Sequence, residues 1–378
     1  MAGFIGLWIG NHQIPHGDFF VFWTSGKHFL SGESLYSTKA SGLTFLYTPF
    51  AAMIHAVFGA FPLKTSSAIF TSLQLFCLFA IIRTSWDWFV ISPQQIWGWG
   101  ISWLVTLWYF YLNIVLVQNN IFLFTIIFYS LKNYLNNKIL PAIVLLAIAT
   151  LFKMQFVLLL GWMILYPGRN KILLYLPLCL LVGVGIPMLF RQEYFLIDWK
   201  EYYHFFWSEL IRPSVFTDYR NQSLLPSLTR LFNVPTLNAN YAPVQIGWIH
   251  FAYLRPAVKI ISILLYFYTL INAYVRSPNK PHLSGAAHIL VVCLLISPLT
   301  WTQHLVFLWL APWYIVPKSF NNWKNLSLLI FTLPILTWSY FWGTEFQFYV
   351  YSLGIFTGLI LMTWIILCFY KPSVSQIQ

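Results

Sequence analysis

Charge is what this chain has least of. Charged residues make up 8% of its 378 residues, and only 9 are Asp or Glu. A soluble domain carries roughly 25% charged residues, so most of this chain cannot face water. No polar stretch is long enough for a separate soluble domain; the longest covers residues 191–256. Cysteine is scarce too. Cys77, Cys179, Cys293 and Cys368 all fall in apolar stretches and none forms a CxxC pair. They read as small buried hydrophobes, not as metal ligands or disulfides. Walker loops, GxGxxG and HExxH are absent, as are internal repeats and low-complexity tracts. The usual signatures of nucleotide binding and of zinc proteases are therefore missing.

Hydrophobic residues make up 59% of the chain and aromatics 20%. The net charge is +12, but no basic run exceeds two residues, which argues against nucleic acid. In a membrane protein such an excess belongs to cytoplasmic loops. A helix needs about 20 apolar residues to cross a bilayer. Candidate segments are 66–82, 88–112, 119–131, 139–151, 154–166, 172–190, 257–275, 283–297, 304–317, 326–342 and 350–370. Residues 1–10 add an apolar stub of about 15 Å as helix, read as the outer half of a first helix. The expected fold is all-α: one polytopic transmembrane domain over 1–378, with about 12 spans and external loops at 11–65 and 191–256 carrying the active site. Segment 43–62 is interrupted by Pro49 and His55 and is expected to lie partly embedded at the outer face.

Loop charges orient the chain. Alternate loops from residue 83 collect ten cations, among them Lys132, Arg276 and Lys371, with Asp87 as the one acid. The other side holds eleven cations and the remaining eight acids. The positive-inside rule makes the first side cytoplasmic, the C-terminus included. A turn at Lys153, between two short segments, keeps this pattern consistent.

External polar residues gather in four places. The first is His16-Gly17-Asp18-Phe19-Phe20. A carboxylate there is either a solvated boundary group or a general base at a lipid-facing cleft. The second is Lys153, at membrane depth, where a cation either snorkels or binds a lipid phosphate. The third is the aromatic-rich stretch from Tyr202 to Trp207, followed by Asp218-Tyr219-Arg220-Asn221-Gln222-Ser223. An interfacial aromatic belt accounts for most of those rings; the amides and charges suit a sugar or headgroup. Asn221-Gln222-Ser223 is also a glycosylation sequon. The fourth is Ser297 to His304, at the external end of a span, where a His could donate to a leaving phosphate.

These patches, in this order, resemble glycosyltransferase family 87 of the C-type membrane glycosyltransferases. The matching residues are Asp18-Phe19 through Leu35-Tyr36, the turn Tyr47-Thr48-Pro49, Val117-Gln118-Asn119-Asn120, Lys153, Asn221-Gln222-Ser223, and Ser297, Pro298, Trp301 and His304. Thr48 stands where the family has a first Pro, Val117 where it has Gly, and the N-terminus is shorter than a full helix. The resemblance implies a hexosyltransferase, with mannose the expected sugar. It takes its sugar from a polyprenyl-phosphate donor and passes it to a lipid or glycan acceptor at the external face. Asp18 is the implied catalytic base. Lys153, Arg220 and His304 are implied partners of the leaving phosphate. Tyr47, Gln118, Asn221, Gln222 and Trp301 complete the substrate-binding set. No metal and no cofactor are expected. The expected location is a bacterial inner membrane, in contact with its lipids. Two rivals are a lipid-linked sugar flippase and a non-catalytic scaffold of surface-glycan assembly. The lack of a repeat and the one-sided polar residues argue against the flippase.

Overall fold

A computed structural model describes residues 18–36, 45–89, 93–210, 218–232, 251–312, 346 and 350–369. The apolar stub at 1–10, His16, and the candidate span at 326–342 lie outside these. The described residues form helices and contain no strand. In chain order they are α1 (Asp18–Ser31), α2 (Pro49–Gly59), α3 (Leu63–Phe89), α4 (Pro93–Val115), α5 (Asn120–Leu135) and α6 (Ile139–Phe152). Then come α7 (Leu158–Met163), α8 (Arg169–Gly185), α9 (Phe195–Leu210), α10 (Leu224–Phe232), α11 (Phe251–Arg276), α12 (Leu283–Ile296) and α13 (Ile355–Phe369). Three 3-10 runs, at Met154–Val157, Ile186–Leu189 and Thr302–Trp309, interrupt the series.

Three described helices are long and apolar enough to cross a membrane: Leu63–Trp88, Arg169–Leu189 and Tyr253–Arg276. The last two leave most of their apolar surface uncovered, including Leu174, Leu181, Ile263 and Leu264. Lipid satisfies such a surface; water does not. Five further apolar helices are shorter, among them Ile139–Phe152 and Leu283–Ile296. The described helices therefore do not by themselves supply twelve spans.

Several expected boundaries move. Among the described residues of 11–65, Asp18–Ser31 and Pro49–Gly59 are helices and α3 begins at Leu63; in α1, Phe19, Phe22, Gly26 and Phe29 recur at helical spacing and are buried on one face. Segment 154–166 divides into a 3-10 turn and the six-residue α7. The span expected from residue 304 begins instead as a 3-10 run. There the main-chain N–H of Trp301 donates to His304 Nδ1 at 3.2 Å and ties off the turn.

Contacts divide the chain into two compact units. The first comprises residues 1–85, 110–157 and 168–209; the second comprises 86–109, 158–167 and 210–378. Within the first, α1 packs on α2 through Gly26 and Gly59. A Cβ added at Gly26 would lie 2.3 Å from the His55 carbonyl oxygen, and one at Gly59 would lie 2.5 Å from Gly26. The two backbones thus touch with no side chain between them. Within the second unit, α12 is buried along nearly its whole length and packs against α7, α11 and α13.

Candidate active site

The expected site residues fall into two clusters, one in each unit. The first unit brings together Asp18, Tyr47, Gln118 and Lys153. Asp18 opens α1, where the helix dipole favours its negative charge. Gln118 reaches it by donating from Nε2 to Asp18 Oδ2. Lys153 terminates α6 in an extended conformation, φ −138° and ψ 106°. Its Nζ donates to Asn120 Oδ1 at 2.7 Å and lies 6.0 Å from the centre of the Tyr47 ring. Asp18 is within electrostatic reach of both Lys153 and Tyr47.

Gln118 is placed by the end of α4. Its main-chain N–H donates to Asn113 O at 2.8 Å, and that of Val117 donates to Ile114 O at 3.2 Å. This pair of bonds is a Schellman stop, which puts its C′ residue in the left-handed region. Val117 sits there with φ +51°. A glycine, the residue that the resemblance expects here, would adopt that angle freely. The end of α1 uses the same stop, built on Gly32 at φ +77°, with Glu33 N donating to His28 O at 3.1 Å.

Thr48 also explains its departure from the family pattern. Its φ of −68° is one that proline imposes, and its hydroxyl caps α2 by accepting from Ala51 N. The same hydroxyl donates to Leu151 O, two residues before Lys153. The threonine therefore fastens the Tyr47 turn to the Lys153 turn.

Residues outside the expected set complete this cluster. Asn120 donates to Asn113 Oδ1 at 2.8 Å while accepting from Lys153. With its amide turned to suit its neighbours, Gln74 donates to Gln118 O and Asn113 O, each at 3.1 Å. The Asn119 amide lies 3.2 Å from His55 Nε2, and that ring stacks on Phe22. The signal for these residues was there in the sequence: amides standing in otherwise apolar stretches.

Arg191 secures the far end of α1. It is buried, and all five of its N–H donors are used. Nε and Nη2 grip Asp198 at 2.7 and 3.0 Å. The remaining donors reach the main-chain oxygens of His28, Phe29 and Glu33 at 2.7, 3.1 and 2.8 Å. Burial pushes the Asp198 carboxyl up, and the Arg191 bonds pull it back. Beside this pair, Tyr36 donates to Tyr47 O at 2.8 Å and packs against Tyr202 and Phe205 of α9.

The second unit brings together Arg220, Asn221, Gln222, Trp301 and His304. Arg220 forms a two-point pair with Asp218, at 3.0 and 2.7 Å, and lies over the Trp301 ring at 5.6 Å. Trp301 and His304 are parallel, within 6°. The result is a guanidinium and two rings in series. Asn221 and Gln222 are both fully buried and bonded within the chain. Asn221 donates to Pro298 O at 2.8 Å and accepts from Thr300 N at 3.1 Å. Gln222 donates to Tyr351 O at 3.0 Å. These contacts hold the 297–301 turn and leave the sequon without an exposed amide. Arg230, missed from sequence, supports the same loop by donating to Asp218 O and Asn221 O at 2.8 Å. Burial lowers it to about 10, so it stays charged at neutral pH.

Among the described residues, no group of three or more His, Cys, Asp or Glu is arranged so that it could hold a metal ion. The family model described as glycosyltransferase family 87 matches residues 45–298, about two thirds of the chain. The match includes Tyr47, Gln118, Lys153, Arg220, Asn221 and Gln222; Asp18, Trp301 and His304 lie beyond its ends. No curated protein and no solved structure matches the chain.

Proposed function

The chain belongs to glycosyltransferase family 87, and from that premise we propose that this membrane glycosyltransferase moves a hexose, mannose first among candidates, from a polyprenyl-phosphate donor to a lipid or glycan acceptor. The acceptor hydroxyl gives its proton to Asp18 as its oxygen attacks the anomeric carbon. The bond from that carbon to the phosphate oxygen breaks, polyprenyl phosphate leaves from the opposite face, and the configuration inverts. Phosphate gains charge as it leaves, so a fixed cation beside it lowers the barrier. Lys153 fills that role. Gln118 aims the Asp18 carboxylate and Asn120 aims the ammonium.

One observation carries this reading. Asp18 and Lys153, far apart in sequence, are held in one polar cluster by the Gln118–Asn120 turn. The face of Tyr47 beside Lys153 suits the sugar or its phosphate. Within the second unit, the Arg220–Trp301–His304 series offers a cation and ring faces that suit a sugar or a phosphate. Asn221 and Gln222 act by positioning that series. The site faces the external side of a bacterial inner membrane, with Lys132, Arg276 and the C-terminus cytoplasmic. The loop charge split supports that orientation.

The test uses membranes carrying the full chain, a labelled polyprenyl-phosphate mannose, and mass analysis of lipid-linked and surface glycans. Asp18→Asn is expected to insert normally and to lose about 100-fold or more of transfer, within the range of general-base catalysis. Retained turnover would remove Asp18 from the base role. Movement of labelled lipid across the membrane without a new glycosidic bond would instead identify a flippase.

A further inference from the structure

His55 is buried among aromatic rings, and stability alone does not ask for a histidine there. It is 1% exposed on α2 and lies against Phe22, Phe58, Phe70 and Phe152. A phenylalanine would fill that space with no polar atom to satisfy. Histidine brings two nitrogens, and Nδ1 is buried without a hydrogen-bond partner. A buried polar atom left unpaired is destabilising. The return is at Nε2, which lies 3.2 Å from Nδ2 of Asn119. An amide nitrogen only donates, so Nε2 accepts.

Asn119 gives up an ordinary contact in the same way. It stands at the N-cap of α5, where an asparagine side chain usually accepts from the helix's first free N–H groups. Here the side chain makes no cap bond. Its Oδ1 is buried without a partner, while its Nδ2 is turned to His55. The same side chain is also hydrogen-bonded to Tyr47. Asn119 lies between Gln118, which donates to Asp18, and Asn120, which accepts from Lys153. The other side of His55 meets α1. Its ring stacks on Phe22 at 4.9 Å and 11°, and Phe22 lies one turn after Asp18. Phe22 in turn meets Tyr47 edge-on at 5.3 Å. One imidazole thus touches both the helix that carries Asp18 and the turn that carries the two aiming amides.

We propose, resting on Asp18 as base and Lys153 as the leaving group's cation, that His55 is a positioning residue for sugar transfer. It sets the spacing between Asp18 and the Gln118–Asn120 turn, through its ring on one side and Nε2 on the other. Its burial keeps it from the reacting atoms. Without the Nε2 bond, Asn119 is free to cap α5, and Gln118 and Asn120 turn with it.

The experiment measures kcat and KM for transfer from labelled polyprenyl-phosphate mannose, with thermal unfolding, on the purified full chain in nanodiscs. His55→Phe keeps the stacking and loses the acceptor. His55→Gln loses the ring and keeps a polar group near the Nε2 position. His55→Phe should lose about tenfold in kcat with KM little changed, a fraction of the loss that a 1 Å misplacement brings. His55→Gln should recover most of that rate. Unfolding temperatures should rank the other way, with Phe above Gln. A purely structural histidine would give one order for both. Asn119→Ala should lose a similar factor. Combined with His55→Phe it should lose about tenfold rather than about a hundredfold, because both act on one contact. Asn119→Ala is the deciding variant if His55→Phe does not insert. Val57→Ala, on the exposed face of α2, should keep full turnover. The same rankings, read from gene-dependent surface glycans in cells, serve whichever sugar is moved. Full kcat in His55→Phe or Asn119→Ala, Gln no better than Phe, or independent losses in the double variant would overturn the role of His55. Turnover retained in Asp18→Asn would instead overturn the base assignment beneath it.

Discussion

Replacing Gly26 by alanine should disable the enzyme from a distance. The new methyl would lie 2.3 Å from the His55 carbonyl oxygen and 2.6 Å from its carbon, both backbone atoms. Ordinary contact begins at 3.4 Å, so α1 and α2 must separate by about 1 Å. Neither contact can be relieved by turning a side chain, because the atoms met are the His55 and Ala56 backbone. Overpacking of this kind costs about 1–3 kcal/mol of stability. Asp18 lies eight residues up the same helix, about 12 Å away, and moves with it. A 1 Å misplacement of a catalytic group costs about 100-fold in rate. The assay is sugar transfer per inserted molecule, compared with Gly100→Ala. Gly100 is also helical but has nothing within 4 Å of an added Cβ, so that variant should keep full activity. Undiminished transfer and unchanged stability in Gly26→Ala would refute the contact between the helices and its hold on Asp18.

Lys153→Met should insert and still lose turnover by about 100- to 1000-fold, as when a donor to developing charge is removed; kcat should fall more than KM rises. Val117→Gly should fold and turn over, relief of left-handed strain offsetting the buried methyls lost, whereas Val117→Pro should lose the fold because that angle and the N–H bond to Ile114 are both denied it. Asp198→Leu leaves Arg191 buried without its counter-charge and should cost about 3–5 kcal/mol, read by thermal unfolding. Asn221 should carry no glycan in a glycosylating host, and peptide mass analysis would detect one.

Much of the first cluster was legible because charge is rare in this chain. With so few acids and amides, Asp18, Gln118 and Lys153 stand out against a hydrophobic background, and Gln118 and Lys153 fall within the stretch that the family model matches. The helical nature of residues 18–31 and 49–59 was harder to read. α1 is amphipathic around aromatic residues rather than continuously apolar, and α2 is too short to register as a span. The burial of Asn221 and Gln222 could not be read from the sequence, for a physical reason. An amide has the same donors and acceptor whether it faces a substrate or a buried turn, and only burial separates the two. Arg191 and Arg230 were invisible as structural residues, since sequence shows a cation but not the main-chain oxygens it will meet.

The Arg191 contacts also set a clock on assembly. The oxygens of His28, Phe29 and Glu33 are bonded by a residue that lies 158–163 positions later in the chain. At roughly 5–20 residues per second, synthesis reaches Arg191 some ten to thirty seconds after it passes α1. Until then the last turn of that helix has no arginine to close it. A nascent chain ending before residue 191 therefore holds Asp18, Gln118 and Lys153 yet lacks the staple that keeps α1 in line. Activity should appear only after the segment following α8 has been made and has docked.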